Sequence, residues 1–69
     1  MAKLFMIRAE EVADGTEGRV RCGCCLWSAP RVFVLAPSRD EALELARKGI
    51  RLCGECAAEM IAEEGYEVA

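Results

Sequence analysis

The sequence predicts a small α+β domain on three observations: one β-branched apolar run, one helix with its own start and stop signals, and two Cys-x-x-Cys pairs far apart in the chain. The run is Arg31-Val32-Phe33-Val34-Leu35-Ala36, set off by Pro30 and Pro37, and it is the best strand candidate. Ser38 then offers a side-chain oxygen as N-cap, with Glu41 three residues on, so a capping box opens a helix over Arg39 to Lys48. Ala42, Leu43, Leu45, Ala46 and Ile50 supply its apolar face, and Gly49 suits a left-handed cap. A second helix begins at the second cysteine pair and runs through Ala57 to Glu64, with Ala57, Met60 and Ile61 on one face and Gly65 as its stop.

The remaining elements follow from weaker signals. Lys3 to Arg8 is a β-compatible stretch, and Arg19-Val20-Arg21 alternates polar and apolar. Ala13-Asp14-Gly15-Thr16-Glu17-Gly18 between them reads as a turn, so the two segments are expected to pair as a hairpin. Tyr66-Glu67-Val68 is a terminal strand candidate that would add to a sheet edge or to homodimer contacts. No repeat, linker or low-complexity tract breaks the chain, so residues 1–69 are expected to form one domain.

A 69-residue chain buries too small a fraction of its surface for hydrophobic burial alone to offset chain entropy comfortably, so a further staple is expected. The apolar share of 54% excludes a disordered composition. The only early apolar run, Leu4-Phe5-Met6-Ile7, is too short for a secretory or membrane-spanning segment, and a cytoplasmic protein is expected. Five cysteines in a reducing compartment point to metal or redox chemistry before disulfides. The chain has no Asn, Gln or His and is rich in Glu and Arg, a lean toward a thermophile's composition that keeps a disulfide reading open.

Two Cys-x-x-Cys pairs bring four soft thiolates to one tetrahedral ion, because each two-residue spacer lets a tight turn aim both sulfurs inward. Cys22, Cys25, Cys53 and Cys56 are therefore the expected ligands of one Zn²⁺ ion, with Gly23 easing the first turn. Cys56 should lie in the first turn of the last helix, where unpaired backbone N–H groups stabilise a thiolate. Cys24 is left over, as a buried spare, an alternate ligand or a redox-sensitive partner.

Over residues 19 to 64 this order resembles the treble-clef zinc-finger class: a knuckle at Cys22 to Cys25, an intervening β segment, and a second Cys-x-x-Cys leading into a helix. The chain departs from that pattern in the extra helix between the pairs. It departs again at Leu26, which stands where a glycine often follows the second knuckle cysteine.

No histidine serves acid–base chemistry, no glycine-rich loop cradles a phosphate, and four thiolates close the coordination shell, so no enzymatic activity is expected. The formal charge of −3 becomes about −5 with one zinc and four thiolates. It is unevenly spread: the segment from Arg19 to Arg51 carries Arg19, Arg21, Arg31, Arg39, Arg47, Lys48 and Arg51 against three acids, whereas residues 52–69 hold five glutamates and no base. The leading reading is a zinc-stabilised module that binds a protein partner, through Trp27, the Glu55, Glu59 and Glu63 stripe, or the basic segment. The alternative is nucleic-acid binding, with Arg19, Arg21, Arg31 and Arg51 on phosphates and Trp27 stacked on a base. A third is dithiol redox chemistry at either Cys-x-x-Cys. Trp27, two residues beyond Cys25, reads first as a hydrophobic lid over the metal cluster.

Overall fold

The computed structural model of the protein describes residues 2–12 and 17–69. It is a compact α+β fold of two antiparallel two-stranded sheets and two helices. The elements are β1 (Lys3–Arg8), a single 3-10 turn (Ala9–Glu11), β2 (Val20–Arg21), β3 (Ser28–Ala29), β4 (Arg31–Ala36), α1 (Arg39–Arg47) and α2 (Gly54–Glu64).

β1 pairs with β4, not with β2, from Lys3 opposite Ala36 to Arg8 opposite Arg31. The expected hairpin between the first two strands is thus replaced, and four of its turn residues, 13 to 16, lie outside the described residues. The reason is burial. β4 alternates with Val32, Val34 and Ala36 inward, and only a strand as long as β1 can lay Ile7 beside Val32 on that face. The two-residue β2 pairs instead with its neighbour β3, with Val20 opposite Ala29 and Arg21 opposite Ser28.

Helix α1 covers the apolar face, placing Ala42 and Ala46 against Ile7, Val32, Val34 and Ala36. Ser38 Oγ accepts the Glu41 N–H at 3.4 Å, and Gly49 has the left-handed φ of +88°. Ile50, expected on the apolar face, is exposed, because the chain has left the helix before it. Gly65 ends α2 with φ of +73°. The last residues do extend the sheet: Leu4 donates its N–H to the Glu67 carbonyl and accepts from the Ala69 N–H, a parallel bridge at Val68.

On the other side of β4, Phe33 and Leu52 exchange both backbone hydrogen bonds, at 2.7 and 2.8 Å. This antiparallel bridge anchors the segment between α1 and α2 to the sheet one residue before Cys53. It carries the second cysteine pair to the first.

Candidate metal centre

The first pair sits on the tip of the β2–β3 hairpin. The ladder continues one step past Arg21 and Ser28, where the Cys22 N–H donates to the Trp27 carbonyl at 2.7 Å, and the Cys22 carbonyl closes the loop by accepting the Leu26 N–H at 3.2 Å. Closing so short a loop puts Leu26 at φ of +65°, the left-handed region that costs a residue with a Cβ about 1–2 kcal/mol. The departure noted at Leu26 therefore falls on the one knuckle residue whose backbone favours glycine.

Gly23 is needed for a different reason than easing the turn. Its N–H donates to the Arg51 carbonyl at 2.8 Å, and a Cβ added there would overlap the Gly49 carbonyl oxygen and come within 3.1 Å of the Arg51 oxygen. The knuckle thus packs backbone to backbone on residues 49–51, which only glycine permits.

The second pair opens α2. Cys53 is the N-cap residue in extended conformation, and Cys56 lies three residues on, in the first turn. Leu52 is held on β4, and the Cys53 N–H donates to Cys22 Sγ at 3.2 Å, so the pairs are locked together by backbone as well as by sulfur.

The four sulfurs of Cys22, Cys25, Cys53 and Cys56 all lie within 4.8 Å of one another. Cys22 to Cys56 is 3.9 Å and Cys25 to Cys53 is 3.6 Å. Four sulfurs each about 2.3 Å from one tetrahedral ion stand about 3.8 Å apart. None of the five cysteines is joined in a disulfide. The set is all-thiolate and closed, which suits a soft or borderline cation held for structure.

The electrostatics point the same way. Burial pushes the Cys22 thiol up, but the N–H groups of Cys25, Cys24 and Cys53 outweigh it and bring it down to about 6. Its Sγ receives the Cys24 N–H at 3.3 Å in addition to that of Cys53. For Cys25 the Trp27 backbone N–H lowers the thiol, yet the neighbouring Cys53 sulfur and burial carry it above its usual value. Cys56 is raised chiefly by the Cys53 side chain. Four thiols this close cannot all ionise in the protein alone, and a bound cation removes that conflict.

Arg51, expected on nucleic-acid phosphates, is instead 6% exposed. Its Nε donates to the Arg21 carbonyl and its Nη1 to the Ala46 carbonyl, both at 2.6 Å. The guanidinium thus ties the strand entering the knuckle to the last turn of α1, while its own carbonyl accepts from Gly23 and from Cys22 Sγ. A fork of several donors can satisfy two separated carbonyls at once, which sequence reading missed by treating every arginine as a surface charge.

Trp27 is 67% exposed and is no lid over the cluster. The hairpin forces this, since the Trp27 backbone pairs with Cys22 while its side chain faces solvent. Cys24 is exposed, contributing its backbone N–H to the site while its sulfur is not among the four. Arg19, Arg21 and Arg31 are exposed; Arg19 donates to the Ser28 carbonyl at 2.6 Å.

Fold and site together define a small α+β protein with a four-cysteine cluster able to hold a metal ion, consistent with a zinc-finger-like site. Comparison of the chain with protein-family models, curated proteins and solved structures finds no match. Among the described residues no helix is long and apolar enough to cross a membrane.

Proposed function

We propose that this protein is a non-enzymatic, zinc-stabilised interaction module of treble-clef-like architecture that binds a protein partner. The observation that carries the reading is the set of four sulfurs within 4.8 Å, two of them in the same hairpin loop as the exposed Leu26 and Trp27. Zinc is the metal that best suits four thiolates in tetrahedral array, and such a site supplies on the order of 10 kcal/mol of folding free energy. A structural ion fixes the loop that presents Trp27, and aromatic side chains of this kind dominate binding interfaces.

Native mass spectrometry of protein purified without added metal, followed by thiol counting after denaturation, tests the metal half of the reading. One zinc and five free thiols support it; a metal-free protein with paired cysteines replaces it with dithiol redox chemistry. Crosslinking of the wild type and a Trp27→Ser variant tests the binding half: a protein partner captured by the first must be lost from the second.

The exposure of Arg19, Arg21 and Trp27 along one hairpin favours a second reading, in which the tip binds single-stranded nucleic acid by stacking and phosphate contact. Salt-dependent retention on single strands at about 50 mM salt, reduced in Arg19→Glu and Arg21→Glu, selects it; no retention removes it.

A further inference from the structure

Arg8 and Arg31 stand directly opposite each other across the β1–β4 ladder, the last pair of its register. Both are exposed, and directly opposed residues have Cβ atoms about 5 Å apart. Like charges in that position repel. Among the described residues neither guanidinium makes a salt bridge, and only longer-range carboxylates temper the repulsion: Glu10 lines the same cleft, and the Arg8 backbone N–H, with the Arg8 charge adding to it, holds the Glu11 carboxyl below its usual range. Glu11 is already committed. Its Oε1 accepts from Arg39 Nη2 at 2.7 Å and its Oε2 from the Arg8 backbone N–H at 2.9 Å.

The two arginines line one open cleft of about 250 Å³, together with Pro30 and Glu10. Pro30 is held there by backbone, since its carbonyl accepts the Ala9 N–H at 3.0 Å. Two arginines lining one small cleft offer a donor set for a tetrahedral oxyanion, which can take parallel N–H···O bonds from each guanidinium fork.

We propose that Arg8 and Arg31 bind a phosphate group, as a small phosphate monoester dianion. The dianion neutralises both charges of the opposed pair, so binding relieves the repulsion that the free protein carries. Glu10 in the lining and Glu11 in the adjoining cleft disfavour a ligand with several phosphates in line, because the second would meet a carboxylate. A nucleic-acid strand is disfavoured on the same ground. This site uses the end of β1 and β4 and does not depend on the metal reading.

The test is a titration of the full chain, as purified, with inorganic phosphate, with glycerol 3-phosphate and with a single-stranded oligothymidylate, followed by the amide and arginine Nε–H resonances. Saturable shifts centred on Arg8, Ala9 and Arg31 are expected with phosphate and glycerol 3-phosphate. Arg31→Gln and Arg8→Gln should each weaken binding about tenfold or more, as expected for loss of a charge-assisted bond. Arg31→Glu should abolish it and raise the midpoint of thermal unfolding, because the opposed pair becomes an ion pair. Shifts that do not saturate, shifts unchanged in both Gln variants, or saturation by the oligonucleotide alone would each overturn the proposal.

Discussion

The backbone N–H of Cys53 donates to the sulfur of Cys22 at 3.2 Å, so the two cysteine pairs touch through a main-chain hydrogen bond as well as through clustered side chains. Cys22 also accepts the Cys24 N–H, and it is buried where the other knuckle cysteine of the cluster, Cys25, is exposed. It is the centre of the site.

Replacement of Cys22, Cys25, Cys53 or Cys56 by Ser should abolish stoichiometric metal, with Cys22→Ser the most damaging because the sulfur that two backbone N–H groups hold ionised gives way to a shorter hydroxyl that stays neutral. Cys24→Ser should keep both metal and fold, since serine retains the N–H that Cys24 contributes. Native mass spectrometry and circular dichroism of the five variants check this. Equal loss in Cys24→Ser would sink the ligand assignment.

Gly23→Ala should disrupt the site, because its Cβ would overlap the Gly49 carbonyl and push the knuckle off residues 49–51. Gly54→Ala is the contrasting case. Its Cβ meets only Phe33 at 4.0 Å, and the helical position favours Ala by about 0.5–1 kcal/mol. Denaturant midpoints should move in opposite directions.

Leu26→Gly should stabilise the protein by about 1 kcal/mol, as release of left-handed strain exceeds the added chain entropy and the lost side chain is 63% exposed. A lower unfolding midpoint for Leu26→Gly than for the wild type would show that Leu26 makes a contact outweighing its strain.

Arg51→Lys should cost about 2–3 kcal/mol in chemical denaturation even though it keeps the charge. A compact ammonium lacks the spread of Nε and Nη1 that reaches the Arg21 and Ala46 carbonyls at once, so at least one charge-assisted bond is lost. A change of less than about 0.5 kcal/mol, the scale of an ordinary surface substitution, would return Arg51 to the surface charges.

Metal should be retained at pH 7 and leave on acidification. Cys22 is held down to about 6 in the protein alone: burial raises it, and three N–H groups lower it further than burial raises it. Its ionised form therefore favours the folded site above the ordinary thiol value, and that contribution fades as pH falls through 6. A bound cation holds the thiolates ionised to lower pH still, so release should begin below 6. A zinc-responsive dye added across a pH series reads the midpoint. Full release already at pH 7 would contradict the closed four-thiolate site.

The strand at Arg31–Ala36, the helix after Ser38, the helix stop at Gly65 and the meeting of the four cysteines were all legible in the sequence. Each rests on local chemistry: β-branched side chains between prolines, a capping oxygen, a glycine at positive φ, and a two-residue spacer that aims two sulfurs one way. Pairing was not legible in the same way. Which strand lies beside β4 depends on how much apolar surface each candidate buries, and β1 exceeds β2 only once both are laid on the sheet.

The fates of Arg51, Trp27 and Gly23 belong to the tertiary structure for the same reason. An arginine becomes a buried tie only when carbonyls from Arg21 and Ala46 meet around it, and a glycine becomes indispensable only when the Gly49 carbonyl arrives against it. Spacing along the chain determined that four thiolates can meet at one point. Contacts between residues some thirty positions apart decided what holds them there, because those contacts are made by backbone groups that every sequence carries alike.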